Sequence, residues 1–401
     1  MFILKKIGCR IFQTAFRAAL PILPYREPKI ISALSELGDV LKKEKCRSVL
    51  IVTDAGVEKC GLTRPLKDAL RESGISYLTY SETRPNPTVA NVEAALTLYR
   101  CAGCDGLITI GGGSAMDCAK AVGARVAYPK KPLSKMGGIL RVMRRLPPLI
   151  AIPTTAGTGS ETTLAAVITD EATRHKYALM SFPLIPHYAL LDPSFTYTLP
   201  PHLTATTGMD ALTHAVEAYI GRSTTRQTRR LALEATRLVF ENVERAFTNG
   251  QDTEARENML HAAYRAGVAF SKSYVGYIHA IAHSLGGRYG TPHGLANAVI
   301  MPYVLESYGK CVHKKLYRLG IAANICSEGD TYEAGARKFI EAVKALNAKM
   351  NIPDKIEGIK EEDIPEMARH AEREANPLYP VPKLLTKAEL EEFYYTVGGI
   401  E

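Results

Sequence analysis

Thr207-Gly-Met-Asp-Ala-Leu-Thr-His214 sets Asp210 and His214 four residues apart, so on a helix a carboxylate and an imidazole share one face. Tyr277-Ile-His-Ala-Ile-Ala-His283 repeats that spacing with His279 and His283, and Pro292-His293-Gly294 adds another imidazole at an expected turn. Imidazoles with a carboxylate suit a divalent metal, Fe(II) or Zn(II), and spacing does not decide between the two. Nor does it choose among these five possible ligands. Either pair alone reads better as an ion pair or a hydrogen-bonded core feature, whereas the three segments together favour a metal. His175, His187, His202, His261, His313 and His370 show no such grouping and read as surface or packing residues.

Two glycine-bearing loops point to a nucleotide. Gly111-Gly112-Gly113-Ser114 follows the apolar run GLITI, and Thr154-Thr155-Ala156-Gly157-Thr158-Gly159-Ser160 follows PLIAIP. Glycines let a backbone approach a phosphate, and the free N–H groups of a helix start favour an anion. Ligands of open α/β sheets gather at the carboxyl ends of the strands. The usual GxGxxG fingerprint is absent. An acid that reads the ribose normally follows the glycines; here the best candidate, Asp54, ends the SVLIVT run ahead of them. A carboxylate there would bind a ribose 2′-hydroxyl and repel a 2′-phosphate, favouring NAD over NADP, or it would simply cap the next turn.

The elements that must carry these residues alternate through the first half. Strands are expected at 48–53, 76–80, 106–110 and 148–153, and helices at 65–73, 89–100 and 114–122. Asp170–Ala178 reads as a hairpin turn and Tyr188–Leu191 as a last strand. This rhythm predicts a mainly parallel sheet covered on both faces. Helical patterns then dominate, at 204–219, 226–246, 254–274 and 332–350. The expected organisation is a basic amphipathic segment (1–30), an α/β Rossmann-like dinucleotide-binding domain (31–196) and an all-α metal-binding domain (197–401), with a cleft shared by the two domains.

At 401 residues, 46% apolar and 23% charged, the chain reads as globular, without a bilayer-length apolar run or a cleavable signal. Of its net charge of +9, residues 1–31 carry +5, so the body shows no basic face for nucleic acid. The eight cysteines form no framework; Cys101 and Cys104 alone make a CxxC and read as packing residues in a reduced, cytoplasmic protein. In residues 1–20, Phe2, Ile3, Ile7, Ile11 and Phe16 recur at helical spacing, with Lys5, Lys6, Arg10 and Arg17 mostly elsewhere. Such a helix packs on its own domain or a dimer partner, or docks on an anionic membrane or another protein.

GGGSAMDCAK (111–120), PTTAGTGSE (153–161), TGMDALTHAVEAY (207–219) and HAIAHSLGGRYGTPHGLANAVIMPY (279–303) closely resemble the iron-containing, group III alcohol dehydrogenases. The resemblance runs from about Val49 to about Leu305. It implies the dehydroquinate-synthase-like fold of that family, with a metal (Fe(2+), or Zn(2+)) on Asp210, His214, His279 and His293. It makes His283 a proton relay. It puts Asp54 at the ribose of NAD and Gly111, Gly112, Gly113, Ser114, Ala115, Met116 and Asp117 at or beside the pyrophosphate. Asn86, Thr154, Thr155, Thr158, Thr163 and Lys176 are implied as further cofactor contacts.

The implied reaction is NAD-dependent interconversion of a small primary alcohol or diol and its aldehyde, by a homodimer that binds no nucleic acid. A metal- and NAD-dependent carbon–oxygen lyase or cyclase, or a non-catalytic metal-binding homologue, is the alternative. A lyase of that kind needs several basic residues, yet Arg288 alone lies near His279–His293. Tyr274, Tyr277, Tyr289 and Leu285 suggest a pocket for a small, mostly apolar substrate. Two departures from the family stand out. Residues 31–37 lack the usual early Gly-x-Gly turn, so that element is expected to be reorganised. Ser284 replaces a larger residue and is expected at the pocket wall.

Overall fold

The computed structural model describes the backbone of residues 2–171 and 175–400 and the side chains of 6–171 and 176–400. The side chains of Phe2, Ile3 and Lys5, and residues 172–174 of the expected hairpin turn, lie outside the described residues. The chain divides into two compact units, one of residues 24–199 and one that joins 1–23 to 200–401. Helix α1 (Phe2–Ala19) therefore belongs with the C-terminal unit.

Residues 24–199 build a six-stranded, wholly parallel sheet. Its strands are β1 (Lys29–Ile31), β2 (Ser48–Val52), β3 (Ser76–Tyr80), β4 (Gly106–Gly111), β6 (Leu149–Pro153) and β9 (Tyr188–Leu190), in the order β1-β9-β6-β4-β2-β3. Alternate side chains feed opposite faces: Leu50, Leu107 and Leu149 enter one apolar cluster, and Ile51, Ile108 and Ile150 the other. With both faces covered, β4 and β6 are buried throughout, which is why they read as continuous apolar runs. The connecting helices are α2 (Leu37–Lys43), α3 (Ala55–Lys59), α4 (Thr63–Glu72), α5 (Val89–Cys101) and α6 (Gly113–Ala127).

Two elements differ from the sequence reading. The early segment without Gly-x-Gly forms a short edge strand, β1, running parallel to β9, followed by a 3-10 turn at Leu34–Glu36. A second, three-stranded sheet of β5 (Gly138–Ile139), β7 (Ala165–Asp170) and β8 (His175–Met180) has the order β5-β8-β7, with β7 and β8 antiparallel. β5 has two residues and β7 is half-exposed, so neither has the buried apolar run that announces β4 and β6.

The C-terminal unit is helical among its described residues: α7 (Pro201–Ile220), α8 (Arg226–Thr248), α9 (Thr253–Ser273), α10 (Tyr277–Tyr289), α11 (His293–Tyr308), α12 (His313–Ala322), α13 (Tyr332–Lys349), α14 (Ile364–Ala375) and α15 (Lys387–Gly398). Helix α7 packs against α8, α9 and α11, and every residue from Gly208 to Ile220 is buried. A helix apolar on all sides belongs in a core, so the polar residues it carries there, Asp210, His214 and Glu217, need specific partners. No described helix is long and apolar enough to cross a membrane.

Candidate active site

Helix α7 holds Asp210 and His214 one turn apart, α10 supplies His279, and His293 opens α11. One ligating atom from each of these four residues lies within 4.8 Å of the others. His293 Nε2 is 3.4 Å and His279 Nε2 3.8 Å from Asp210 Oδ1. The start of α11 can come this close because residue 294 is glycine: a Cβ there would stand 2.3 Å from the Thr206 carbonyl oxygen of α7. Phe270 of α9 stacks on the His214 ring at 4.0 Å and gives the site an apolar back.

Each ligand candidate is oriented by a neighbour. Glu217 accepts from His279 Nδ1 at 2.6 Å and from the backbone N–H groups of Gly276 at 2.7 Å and Ile278 at 2.8 Å. The proton of His279 is thereby held on Nδ1, and Nε2 faces Asp210 as a lone-pair donor. Asn297, one turn into α11, donates to Asp210 Oδ1 at 2.7 Å and lies 3.1 Å from His293 Nε2. Burial keeps His279 well below the ordinary imidazole range and takes His293 down to about 4, so both are neutral ligands at neutral pH.

These residues fit a metal. Three imidazoles and a carboxylate make a donor set for Fe(II) or Zn(II). His279 Nε2 is buried and, among the described residues, has no hydrogen-bond partner, a deficit that a ligand bond would remove.

His283 stands beside this group. Its ring stacks on His293 with centroids 5.1 Å apart, but Nδ1 lies 2.6 Å from Glu374 Oε1 on α14. Glu374 also accepts from Tyr379 Oη at 2.7 Å. Desolvation works against charging His283, although its side chain is 43% exposed, and the Glu374 carboxylate overcomes it, leaving the pKa raised.

Of the four residues expected to line a pocket, Tyr277, Leu285 and Tyr289 are committed within the helical unit. Tyr277 is fully buried, its hydroxyl donating to Asn376 and accepting from the Leu385 N–H, and Leu285 is buried as well. Tyr289 donates to Asp363, which also holds Arg288. Ser284 is bound at 2.6 Å to Tyr394 of α15 instead of opening a pocket wall. A buried side chain with both polar ends satisfied has nothing left for a ligand, and sequence neighbourhood alone does not report that.

In the other unit the two loops meet at the ends of β4 and β6, where Thr154 N–H donates to the Gly111 carbonyl. Gly111 has φ +154°, and a Cβ on it would stand 2.7 Å from that of Ala115. A Cβ on Gly113 would lie 3.3 Å from Thr158 Cγ2. The space above Gly112 and Gly113 is thus bounded by Thr155 and Thr158 of the second loop. Helix α6 starts here, and the N–H groups of its first turn have no carbonyl of their own helix to meet. Thr155 Oγ1 is buried without a hydrogen-bond partner among the described residues. A phosphate group would satisfy both.

Asn86, with φ 57°, donates its N–H to Ser114 Oγ and accepts from Lys176 Nζ at 3.0 Å, so these three gather at the same helix start. Asp54 caps α3 through Oδ1, leaving Oδ2 3.4 Å from the Gly111 Cβ position. It therefore caps the next turn and still faces the glycine loop. The side chains of Ala115 and Met116 are buried. Those of Asp117 and Thr163 join an interior network: Lys120 Nζ reaches Ser160 O, Ser160 Oγ, Thr163 Oγ1 and Ala165 O at 2.7–3.0 Å, and Asp117 accepts from Ser160 Oγ and Val167 N–H.

Glu217, Asn297, Phe270, Glu374 and Lys120 contact the candidate site residues and were missed by the sequence reading. Glu217 and Asn297 had a local signal, at i+3 from His214 and i+4 from His293. Glu374 had none, being 91 residues from His283.

Residues 30–193 match the model of the iron-containing alcohol dehydrogenase family, and residues 204–397 match that of the C-terminal part of the Fe-containing alcohol dehydrogenase family. Alcohol dehydrogenase 4 of Schizosaccharomyces pombe is 38% identical over 377 residues, covering 92% of this chain and 88% of that protein. The NAD-dependent methanol dehydrogenase of Bacillus methanolicus is 38% identical over 344 residues, 84% of this chain and 89% of its own. Among solved structures, that of a 1,3-propanediol oxidoreductase superposes with a TM-score of 0.89 at 34% identity, covering 93% of this chain and 99% of that one.

Proposed function

The chain belongs to the iron-containing alcohol dehydrogenase family, and we propose that Asp210, His214, His279 and His293 hold its iron and that His283 moves the proton of its reaction. It is an NAD-dependent oxidoreductase that interconverts a small alcohol or diol and its aldehyde. Bound there, iron would supply Lewis acidity for an alcohol or carbonyl oxygen, and NAD would supply the hydride-transfer chemistry. The observation that carries the assignment is the convergence of the four ligating atoms within 4.8 Å around the unsatisfied His279 Nε2.

The chain's own residues do the positioning. Glu217 keeps the proton on His279 Nδ1, Asn297 holds the Asp210 carboxylate in place, and Phe270 keeps water from one side of His214. With Nδ1 of His283 directed to Glu374, Nε2 is the atom that takes the hydroxyl proton as alcohol becomes aldehyde and returns it in reverse. In the α/β unit, the first turn of α6 and the Thr155–Thr158 loop receive the pyrophosphate. Asp54 Oδ2 accepts from the adenosine ribose, and Asn86, Ser114 and Lys176 border the same space. Arg288, the cation that a phosphorylated substrate would need near His279–His293, is committed to Asp363, which disfavours the lyase reading.

We place the enzyme in the cytoplasm, a reading supported by cysteines that form no disulfide among the described residues, and as a homodimer. Metal analysis of anaerobically purified protein, paired with NADH formation across a panel of alcohols and diols, tests the function. One equivalent of iron, lost together with turnover in His293→Ala, is expected. A His293→Ala protein that keeps both sinks the ligand assignment. Light scattering checks the dimer, and a monomeric mass removes it.

A further inference from the structure

Helix α1 is fastened to the helical unit by polar contacts on one side. Gln13 is buried and donates to the Tyr379 and Pro377 carbonyls, Arg10 donates to those of Val381 and Pro382, and Phe16 meets Tyr274 edge-on. The opposite side carries Ile7, Ile11, Ala15 and Ala18 at helical spacing, and Ile7 and Ile11 are 51% and 64% exposed. Together with Pro382 and Leu384 they line a recess of about 910 Å³. Apolar surface of this kind is unfavourable in water unless something covers it. Residues 1–29 lie outside both matched family regions, so the family's shared activity does not explain the feature.

The charges around the recess have one sign. Lys6, Arg10 and Lys383 line it, and no carboxylate does, although Lys383 is paired with Glu389 outside the lining. Cations crowd one another here. Burial first, and then Arg222, lowers the Arg10 pKa. A partner carrying carboxylates would relieve this repulsion, whereas a basic one would add to it. The shape favours a helix. Leu384 forms a buried floor, and side chains projecting from a helix can reach into a recess that a flat bilayer would bridge. The 18 residues of α1 offer a wall roughly 27 Å long for such a partner.

We propose that α1 and the recess beside it dock an acidic amphipathic helix of a partner protein. Its apolar residues fill the space against Ile7, Ile11 and Leu384, and its carboxylates face Lys6 and Arg10. The full-length holoenzyme is titrated into a fluorescein-labelled synthetic peptide with leucines at i, i+3, i+4 and i+7 and glutamates on the flanks. Saturable binding is expected, weakened about tenfold or more in Ile7→Glu/Ile11→Glu and by raised salt, with alcohol oxidation unchanged. A lysine-flanked version of the peptide should not bind. Absence of saturable binding, equal binding of the lysine peptide, or indifference to the double substitution overturns the proposal. Co-sedimentation with phosphatidylglycerol vesicles that the glutamate peptide cannot displace reassigns the surface to lipid. A native mass halved in the double variant reassigns it to a second copy of the chain.

Discussion

Glu217 lies one turn beyond His214 on α7, and its two oxygens serve three N–H donors, one of them on His279. A carboxylate behind an imidazole raises the basicity of the far nitrogen and fixes the ring. Glu217→Gln keeps the shape but loses one acceptor oxygen. Iron affinity, read by chelator competition, should fall about 10–100-fold with the fold retained, and an unchanged affinity would remove Glu217 from this role. Asp54 makes a separate prediction. Replacing it with Ala costs the α3 cap about 1 kcal/mol and should improve NADP use relative to NAD; an unaltered preference would leave it only a cap. Asp117 governs a pH effect. Burial pushes its carboxyl up to about 6, with Lys120 and the Val167 N–H opposing. A folded-state pKa above the unfolded value of about 3.9 means that the native state holds the proton more tightly. The stabilisation is therefore complete below about pH 4 and lost as pH rises through about 6. Asp117→Asn should flatten that part of a Tm-against-pH curve, and a curve of unchanged slope would contradict it.

Among the elements, the joint between α7 and α11 is the most exacting. Gly294 meets a backbone carbonyl, which cannot swing aside as a side chain could. Gly294→Ala should push the start of α11 away from Thr206 and separate His293 from Asp210, destabilising the protein by about 1–3 kcal/mol. Iron content should drop with it. Full iron occupancy in this variant would show that the approach is not what sets the ligand geometry. Strands β4 and β6 were legible because burial on both faces demands unbroken apolar runs. β1, β5 and β7 were not, since a short or half-exposed strand is held by its neighbours more than by its own composition.

For the molecule as a whole, a metal bound only by the folded state adds its binding free energy to stability. Stripping iron with a chelator should lower Tm by about 5 °C or more, reversed on anaerobic reloading; a Tm indifferent to iron would argue against a ligand set in the helical unit.

Local spacing is geometry that a chain carries with it. Four residues on a helix put Asp210 and His214 on one face, and a glycine run between a strand and a helix leaves N–H groups open to a phosphate, whatever the rest of the chain does. The sequence by itself therefore determined the α/β and helical halves, the two loops and a pool of five possible ligands. Spacing could not separate His279 from His283, which share a helix; the family resemblance gave them different roles without a physical reason. Only the tertiary structure put Glu217 behind one and Glu374 behind the other. The physical reason is that convergence of distant segments depends on which faces pack, and packing is a property of the whole core. The same holds for α1: periodicity showed an amphipathic helix, and its docking through Arg10 and Gln13 decided which apolar side chains remain in water.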